Sequence, residues 1–515
     1  MMNELMLSGN DLTLQDVIAV AGHDNPDHAD FIFVQVDDKA WPGIYESRRR
    51  IEAVLEKKAP VYGVNTGFGK LAEVAISAED ASELQVNLLR SHACAVGDPL
   101  PVATVRAMML LRANALAKGY SGIRPETLQL LLDCLNHGIH PYVPSQGSLG
   151  ASGDLAPLAH LSLLLIGEGR VHYRGEWIAG AQALKMAGLN PVKLAAKEGL
   201  ALINGTQAMT GIGSLALYRA QKLANFADGV AALTMEALRG IHDVFLQELH
   251  ALRPHSGQVE NAGRMRAWLQ GSLLTTAQGE LRVQDAYSLR CIPQVHGASR
   301  QSLDHVHTVM QVELNAATDN PIVLPEIDQI LSGGHFHGQP VALVMDFMKI
   351  AVAELANISE RRCERLVNPM LSGMPAFLAR TPGLSSGLMI LQYVAASLVS
   401  ENKVLAHPAS VDSIPSSGNQ EDHVSMGTTA ARQADQIISN SARVLAIEAI
   451  AAAEAITIQG FHDRLAPATK SLFEWIRARV APVQEDRSLG QDIEQVANDL
   501  LSLLDSCPDV VVDRL

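Results

Sequence analysis

The 515-residue sequence has few aromatic residues, little cysteine and no excess of positive charge. Phe, Trp and Tyr make up 4% of it and hydrophobic residues 48%, so we expect a core of mainly aliphatic side chains. The five cysteines are dispersed without a C-x-x-C pair, which is typical of reduced thiols in a cytoplasmic protein and argues against a disulfide framework. A net charge of −15 argues against a nucleic-acid or anionic-membrane partner.

Long apolar runs and cofactor-loop motifs are also missing. The most apolar window, residues 388–399, is interrupted by Gln392 and followed by Glu401 and Lys403, so it is too short to span a bilayer. The first residues lack a basic stretch followed by an apolar run, and we expect no signal peptide. The Gly-rich segment 65–69 has neither the G-K-[ST] of a P-loop nor G-x-G-x-x-G spacing.

Helical periodicity dominates the remaining sequence. It predicts helices over residues 14–21, 46–57, 81–91, 102–118, 125–136, 344–355 and 430–458. Residues 171–178 predict a small hairpin with Arg174 and Gly175 at its turn. We therefore expect an all-α fold, with a long central helical bundle in residues 231–515 and a smaller, loop-rich, mainly helical N-terminal region in residues 1–230.

The tripeptide Ala151-Ser152-Gly153 can form an electrophile without an added cofactor. The amide nitrogen of Gly153 can attack the carbonyl carbon of Ala151 and close a five-membered ring. Loss of water from that carbon and from the Ser152 side chain then leaves an imidazolone with an exposed methylidene carbon. Gly at the third position leaves the attacking nitrogen uncrowded and lets the backbone bend. By itself, however, such a tripeptide more often marks a flexible turn.

The longer segment 143–160 resembles the active-site signature of the aromatic amino acid ammonia-lyases, which carry a 4-methylideneimidazole-5-one group. Further stretches similar to that family occur in order at residues 62–69, 91–93, 204–207, 284–291, 336–338, 400–403 and 419–426. The resemblance implies that the group forms autocatalytically from Ala151, Ser152 and Gly153 and that no external cofactor is needed. It also implies a homotetramer whose active sites are shared between subunits.

The resemblance assigns chemical roles to three residues outside the tripeptide. Tyr62 matches the general base for the substrate β-proton, although a free tyrosine, with a pKa near ~10, would need activation by its surroundings. Asn204 matches the residue that hydrogen-bonds the imidazolone and positions the substrate. Arg290 matches the clamp for the substrate carboxylate, because a guanidinium can form two parallel hydrogen bonds to it. Each residue also has a structural alternative. Tyr62 could pack beside the Gly-rich loop, Asn204 could cap a helix, and Arg290 could be a solvated surface residue.

The same resemblance places Gln284 and Tyr287 in the lining of the site, six and three residues before Arg290. Phe336 matches an aromatic wall. The alternatives are that Gln284 and Tyr287 are polar surface residues and that Phe336 packs in the core. At the neighbouring position, His335 stands where relatives often carry Asn. His335 and His337 lack a supporting Cys or carboxylate cluster nearby in the sequence, so we expect no metal.

Substrate choice depends on Ser91-His92 and Glu421, which resemble the histidine-specific branch of the family. Relatives that use phenylalanine typically carry Phe-Leu at the first pair, and those that use tyrosine carry His-Leu. His92 can hydrogen-bond an imidazole, and Glu421 can accept from a ring N–H or from the amine. Against a benzene ring these groups would stay unpaired. The alternative for Glu421 is a structural ion pair.

The implied reaction is the non-oxidative deamination of L-histidine to trans-urocanate and ammonia, as in histidine degradation. The nearest alternative is a lyase or aminomutase that acts on phenylalanine or tyrosine. A catalytically inactive paralogue with a structural or binding role is the alternative from another class. The intact Ala151-Ser152-Gly153, Tyr62 and Arg290 argue against such a paralogue, which would have no need of all of them.

Overall fold

The structure, a computed structural model, describes residues 3–57, 61–67, 69, 74, 76–77 and 80–503. Phe68 of the Gly-rich segment and Cys507 lie outside the described residues. The α-helices are α1 (Leu14–Gly22), α2 (Trp41–Lys57), α3 (Ala81–His92), α4 (Val102–Ala117), α5 (Pro125–Asn136), α6 (Leu155–Leu163), α7 (Gly180–Met186), α8 (Glu198–Ile203), α9 (Gln207–Ala237), α10 (Gln247–Ala251), α11 (Ser256–Leu269), α12 (Tyr287–Arg290), α13 (Ile292–Glu313), α14 (Gln339–Val367), α15 (Pro369–Ser372), α16 (Met389–Leu405), α17 (Gly427–Gln459), α18 (Pro467–Arg477) and α19 (Gly490–Leu501). The strands are β1 (Asn3–Leu7), β2 (Ile32–Val36), β3 (Val96–Pro99), β4 (His140–Pro141), β5 (Pro144–Gln146), β6 (Arg170–Tyr173), β7 (Glu176–Ala179), β8 (Ile322–Leu324) and β9 (Gln329–Leu331).

The all-α prediction is confirmed, because the strands are short and the longest helices, α9, α14 and α17, have 31, 29 and 33 residues. The helices predicted from periodicity correspond to α1 to α5, α14 and α17. The predicted hairpin is formed by β6 and β7, whose pairing of Tyr173 with Glu176 leaves Arg174 and Gly175 at the turn. Among the described residues, no helix combines the length and the apolar character needed to cross a membrane.

The described chain forms two compact units, each assembled from separate segments. The first unit comprises Met1–Leu215, His307–Asp346 and Pro408–Arg432. The second unit comprises Ala216–Val306, Phe347–His407 and Gln433–Leu515. Four long helices, α9, α13, α14 and α17, contribute residues to both units. The predicted boundary at residue 230 lies within α9, and the division into 1–230 and 231–515 stays a prediction.

Helix α4 lies in the core of the first unit, where it packs against α1 and α5. All its residues from Thr104 to Ala117 are buried, as expected for a helix that is apolar on most sides. Two arginines, Arg106 and Arg112, are buried in the same helix with 0% exposure. Buried arginines need polar partners because an unpaired charge is costly in an apolar interior.

Polar side chains are also buried in the second unit, around Asp228 and Glu448. Burial by itself raises the pKa of Asp228, but contacts with Arg300, His296 and Arg264 hold this pKa below its usual range. The carboxylate of Glu448 accepts two hydrogen bonds from the fully buried Arg362. These ion pairs satisfy charges that the long helices bring into the core.

Helix α14 departs from a simple amphipathic pattern. Apolar residues recur at helical spacing along one face of α14, and all of them are buried except Phe347, which is 42% exposed: Val344, Phe347, Met348, Ala351, Val352 and Leu355. Two polar residues off the stripe, Asp346 and Lys349, are buried as well. The Asp346 carboxylate accepts from the backbone N–H of Ser410, and Lys349 Nζ donates to the carbonyl of His407. Hydrogen bonds to the backbone therefore make burial of these two side chains possible.

Candidate active site

The Ala151-Ser152-Gly153 tripeptide lies in the loop between β5 and α6. Gly153 has a φ of +69°, and a Cβ at this position would lie 2.2 Å from the carbonyl oxygen of Gly205. The two glycines form a parallel backbone bridge, and the N–H of Asp154 donates to the Gly205 carbonyl at 2.7 Å. Both the conformation and this close approach therefore require glycine at position 153.

Asn204 contacts the central residue of the tripeptide. It follows α8 as the C-cap residue, and its backbone N–H donates to the Leu200 carbonyl. Its side chain turns to Ser152, where Nδ2 lies 2.8 Å from the carbonyl oxygen and 2.8 Å from the hydroxyl oxygen. The helix-cap alternative and the contact predicted for Asn204 thus describe different parts of one residue: the backbone caps α8 and the carboxamide contacts Ser152.

Asp154 fixes the loop from its buried side. Its carboxylate accepts hydrogen bonds from the Ser148 hydroxyl at 2.7 Å, from the Met209 N–H at 2.8 Å and from the Thr428 hydroxyl. Burial raises the pKa of Asp154, and these hydrogen bonds lower it in part. Asp154 lies within the segment 143–160 that resembles the signature, but the sequence indicates no role for it. The signal available was a single carboxylate in a segment of Gly, Ala, Ser, Leu and Pro.

Glu421 lies within electrostatic reach of both Tyr62 and His92. Burial raises the pKa of the Tyr62 phenol, a hydrogen bond from the Gly69 N–H at 3.4 Å lowers it, and the charge of Glu421 raises it further. Burial lowers the pKa of His92, whereas the charge of Glu421 raises it. His92 Nδ1 lies 3.0 Å from the hydroxyl of Ser91. The first unit therefore groups a phenol, an imidazole and a carboxylate.

The loop that carries Glu421 approaches the loop that carries Tyr62. The Ser416 hydroxyl donates to the Glu421 carboxylate at 3.1 Å, and the backbones of Ser416 and Glu421 pair in an antiparallel bridge. A Cβ at Gly69 would lie 2.6 Å from the Ser417 hydroxyl oxygen, so these loops meet closely. Among the described residues no Lys or Arg forms an ion pair with Glu421, which disfavours its structural alternative.

Phe336 lies in the first unit, in the segment that precedes α14, and is half-buried. Its neighbour His335 is exposed. The ring of His337 stacks on that of His423 with centroids 5.6 Å apart, and its Nδ1 accepts from the Gln339 N–H. Within the described ranges, no group of three or more His, Cys, Asp or Glu side chains is placed to hold a metal ion.

Gln284, Tyr287 and Arg290 belong to the second unit, the last two in the short helix α12. The Arg290 guanidinium lies 4.5 Å from the centroid of the Tyr287 ring, as the spacing of three residues predicts for a helix. Tyr287 is 70% exposed, and Gln284 is exposed. The buried Nε of Arg290 has no hydrogen-bond partner among the described residues. This guanidinium N–H is therefore a donor whose hydrogen bond the described residues leave unmade.

Comparisons with known proteins show which family this chain resembles. The family model described as aromatic amino acid lyase matches residues 12–478. Histidine ammonia-lyase of Geobacillus sp. (strain WCH70) is 56% identical over 493 residues, which are 96% of this chain and 96% of that protein. A structure of histidine ammonia-lyase from Trypanosoma cruzi superimposes with a TM-score of 0.88 and 42% identity, covering 97% of this chain and 93% of that one. Tyrosine aminomutase from Streptomyces globisporus gives a TM-score of 0.92 and 42% identity, covering 97% of each chain.

Proposed function

This chain belongs to the aromatic amino acid lyase family, and on that premise we propose that it removes ammonia from L-histidine, without oxidation, to give trans-urocanate. It is a carbon–nitrogen lyase of histidine metabolism. The observation that carries the choice of histidine is Glu421, which lies near His92 and Tyr62 without a Lys or Arg partner among the described residues. The enzyme works in the cytoplasm as a homotetramer with shared active sites.

The electrophile forms from Ala151, Ser152 and Gly153, whose surroundings fit the ring closure. A bond forms between the Gly153 nitrogen and the Ala151 carbonyl carbon, and one water leaves with the carbonyl oxygen and the amide hydrogens of Gly153 and Ser152. A second water leaves with the Ser152 hydroxyl and α-hydrogen. Asn204 Nδ2 is placed to stabilise both oxygens of Ser152. The 4-methylideneimidazole-5-one, once formed, would supply an electrophilic carbon for the substrate amine or ring.

Tyr62 removes the β-proton of the substrate. The hydrogen bond from Gly69 favours its phenolate, whereas burial and the charge of Glu421 raise its pKa and keep the free enzyme's phenol protonated at neutral pH. A cationic substrate group beside Glu421 would cancel that charge and lower the pKa of Tyr62. Substrate binding thus activates the base where it is needed.

The remaining residues bind and orient L-histidine. Glu421 and His92 hold the imidazole, with Glu421 also available to the amine. Arg290 clamps the carboxylate through two parallel hydrogen bonds. Gln284, Tyr287 and Phe336 line the site. In this assignment residues 1–230 supply the electrophile and the base, and residues 231–515 supply the carboxylate clamp.

A parallel assay of the purified protein tests the proposal. Ammonia release and absorbance of the conjugated acid are measured with L-histidine, L-phenylalanine and L-tyrosine, and β-amino acid products are sought by mass. Turnover of histidine alone supports the proposal. Turnover of phenylalanine or tyrosine instead, by elimination or by amine migration, would overturn the assignment of Glu421 and His92. No turnover of any substrate, together with a protein mass that shows no loss of water, would favour the inactive paralogue.

A further inference from the structure

Helix α4 places a fully buried arginine behind Asn204. Nη1 of Arg112 donates to the backbone carbonyl of Asn204 at 2.9 Å and to Oε1 of Gln207 at 2.8 Å. Nε2 of Gln207 in turn donates to the Thr318 hydroxyl at 2.8 Å. All these residues belong to the first unit. The guanidinium thus holds the residue whose carboxamide reaches Ser152.

The same guanidinium lies against Gly205, the residue that backs the tripeptide. A Cβ at Gly205 would lie 2.5 Å from Arg112 Nη1 and 2.7 Å from the Thr318 hydroxyl oxygen. Gly205 is also the bridge partner of Gly153. A continuous set of contacts therefore runs from Arg112 through Gly205 to the glycine whose nitrogen must attack.

Burying the Arg112 side chain at this position costs free energy. Burial lowers its pKa to about 10, and the negative charge of Asp319 offsets this lowering only in part. The Asp319 carboxylate is itself paired with the buried Lys197 at 2.7 Å. Nε and Nη2 of Arg112 have no hydrogen-bond partner among the described residues. Since burying a guanidinium with unsatisfied donors costs free energy, fold stability alone does not account for this arginine.

We propose that Arg112 is a positioning residue for ring formation, which fixes the Asn204 carbonyl and Gly205 so that the Asn204 carboxamide faces Ser152 and the Gly205 backbone stays against Gly153. The inference rests on the proposed function, because it concerns the same tripeptide. It acts through Asn204 and Gly205 and assigns Arg112 no contact with substrate.

Arg106 offers a matched control. It is buried to the same degree on the same helix, burial also lowers its pKa to about 10, and it too donates to backbone carbonyls. Those carbonyls belong to Val20 and Leu135, not to Asn204. Arg106→Met therefore reports the general consequence of removing a buried guanidinium from α4.

The test compares Arg112→Met with Arg106→Met in the 515-residue protein. The fraction of chains that have lost two waters is measured by mass, and the free energy of unfolding is measured with urea. We expect both variants to fold with similar stability, and the ring-bearing fraction to fall about tenfold in Arg112→Met only. If Arg112→Met does not fold, Arg112→Lys, which keeps one cationic donor, takes its place with Arg106→Lys as control.

Two results would overturn the inference while leaving the proposed function intact. One is a ring-bearing fraction in the Arg112 variant equal to that of the protein without substitutions. The other is an equal loss of ring in the Arg106 variant, which would make the effect a general one of core disruption. If the protein without substitutions loses no water, that result overturns the proposed function and, with it, this inference. Normal ring formation in both arginine variants overturns only the inference.

Discussion

A single nitrogen atom of Asn204, Nδ2, donates to both oxygens of Ser152, each at 2.8 Å. One of these oxygens, the hydroxyl, must leave for the electrophile to form, whereas the carbonyl oxygen remains on the finished ring. Asn204 can therefore keep one hydrogen bond to this residue throughout the reaction. Loss of the Ser152 hydroxyl should therefore affect ring formation much more than stability.

Ser152→Ala should abolish ring formation and reduce histidine turnover to background while leaving the fold intact. The variant has no β-hydroxyl to lose, but Asn204 keeps the carbonyl of residue 152 as a partner. We expect the free energy of unfolding to fall by about 1 kcal/mol or less. Mass, ammonia release and urea unfolding check these points. Full activity in this variant would contradict the proposed mechanism.

Gly153→Ala should prevent ring formation and destabilise the loop. The residue has a φ of +69°, and the added Cβ would meet the Gly205 carbonyl oxygen at 2.2 Å, so the bridge between the two segments must open. Gly175→Ala is the matched control, since its φ is +84° and no atom lies within 4 Å of the new Cβ. We expect about 1 kcal/mol of destabilisation for the control and clearly more for Gly153→Ala. Equal unfolding free energies and a normal ring would refute the close-approach argument.

The helices could be predicted from the sequence because their apolar residues recur at helical spacing. The tripeptide could be recognised because the longer segment 143–160 around it resembles the family signature, whereas the three residues alone would indicate a flexible turn. Arg112 and Asp154 could not be assigned in this way, since a charged residue in a sequence usually indicates a solvated surface. Their roles depend on hydrogen bonds to Asn204 and Met209, which are close only after folding.

The compact units bring together residues that are far apart in the sequence, which periodicity does not reveal. Glu421 joins Tyr62 in the first unit although 359 positions separate them, and the long helices α9, α13, α14 and α17 contribute to both units. The predicted division at residue 230 stays a prediction. Periodicity identifies a long helix but does not indicate where along its length the neighbouring structure changes.

Arg290→Lys should raise the KM for histidine about 10- to 100-fold, because lysine cannot form two parallel hydrogen bonds to a carboxylate. Binding of imidazole, which lacks the carboxylate, should not change. Arg282→Lys is the control: Arg282 already donates to Asp285 and to the Leu238 carbonyl, so its substitution should affect stability and not KM. An unchanged KM in Arg290→Lys would exclude the carboxylate clamp.

Glu421→Gln should lower histidine turnover more than the binding of an aromatic inhibitor, because the carboxylate acts on the imidazole or the amine. It should also shift the pH dependence of kcat/KM. The charge of Glu421 raises the pKa of Tyr62, so a neutral glutamine lowers it, and the ascending limb that reports loss of the phenol proton moves to lower pH. Ser416→Ala removes the hydroxyl that donates to Glu421 but keeps the charge, so its ascending limb should stay in place. If the ascending limb of the pH profile does not move in Glu421→Gln, the charge of Glu421 does not act on Tyr62. Equal losses of turnover and inhibitor binding would show that Glu421 does not select the imidazole.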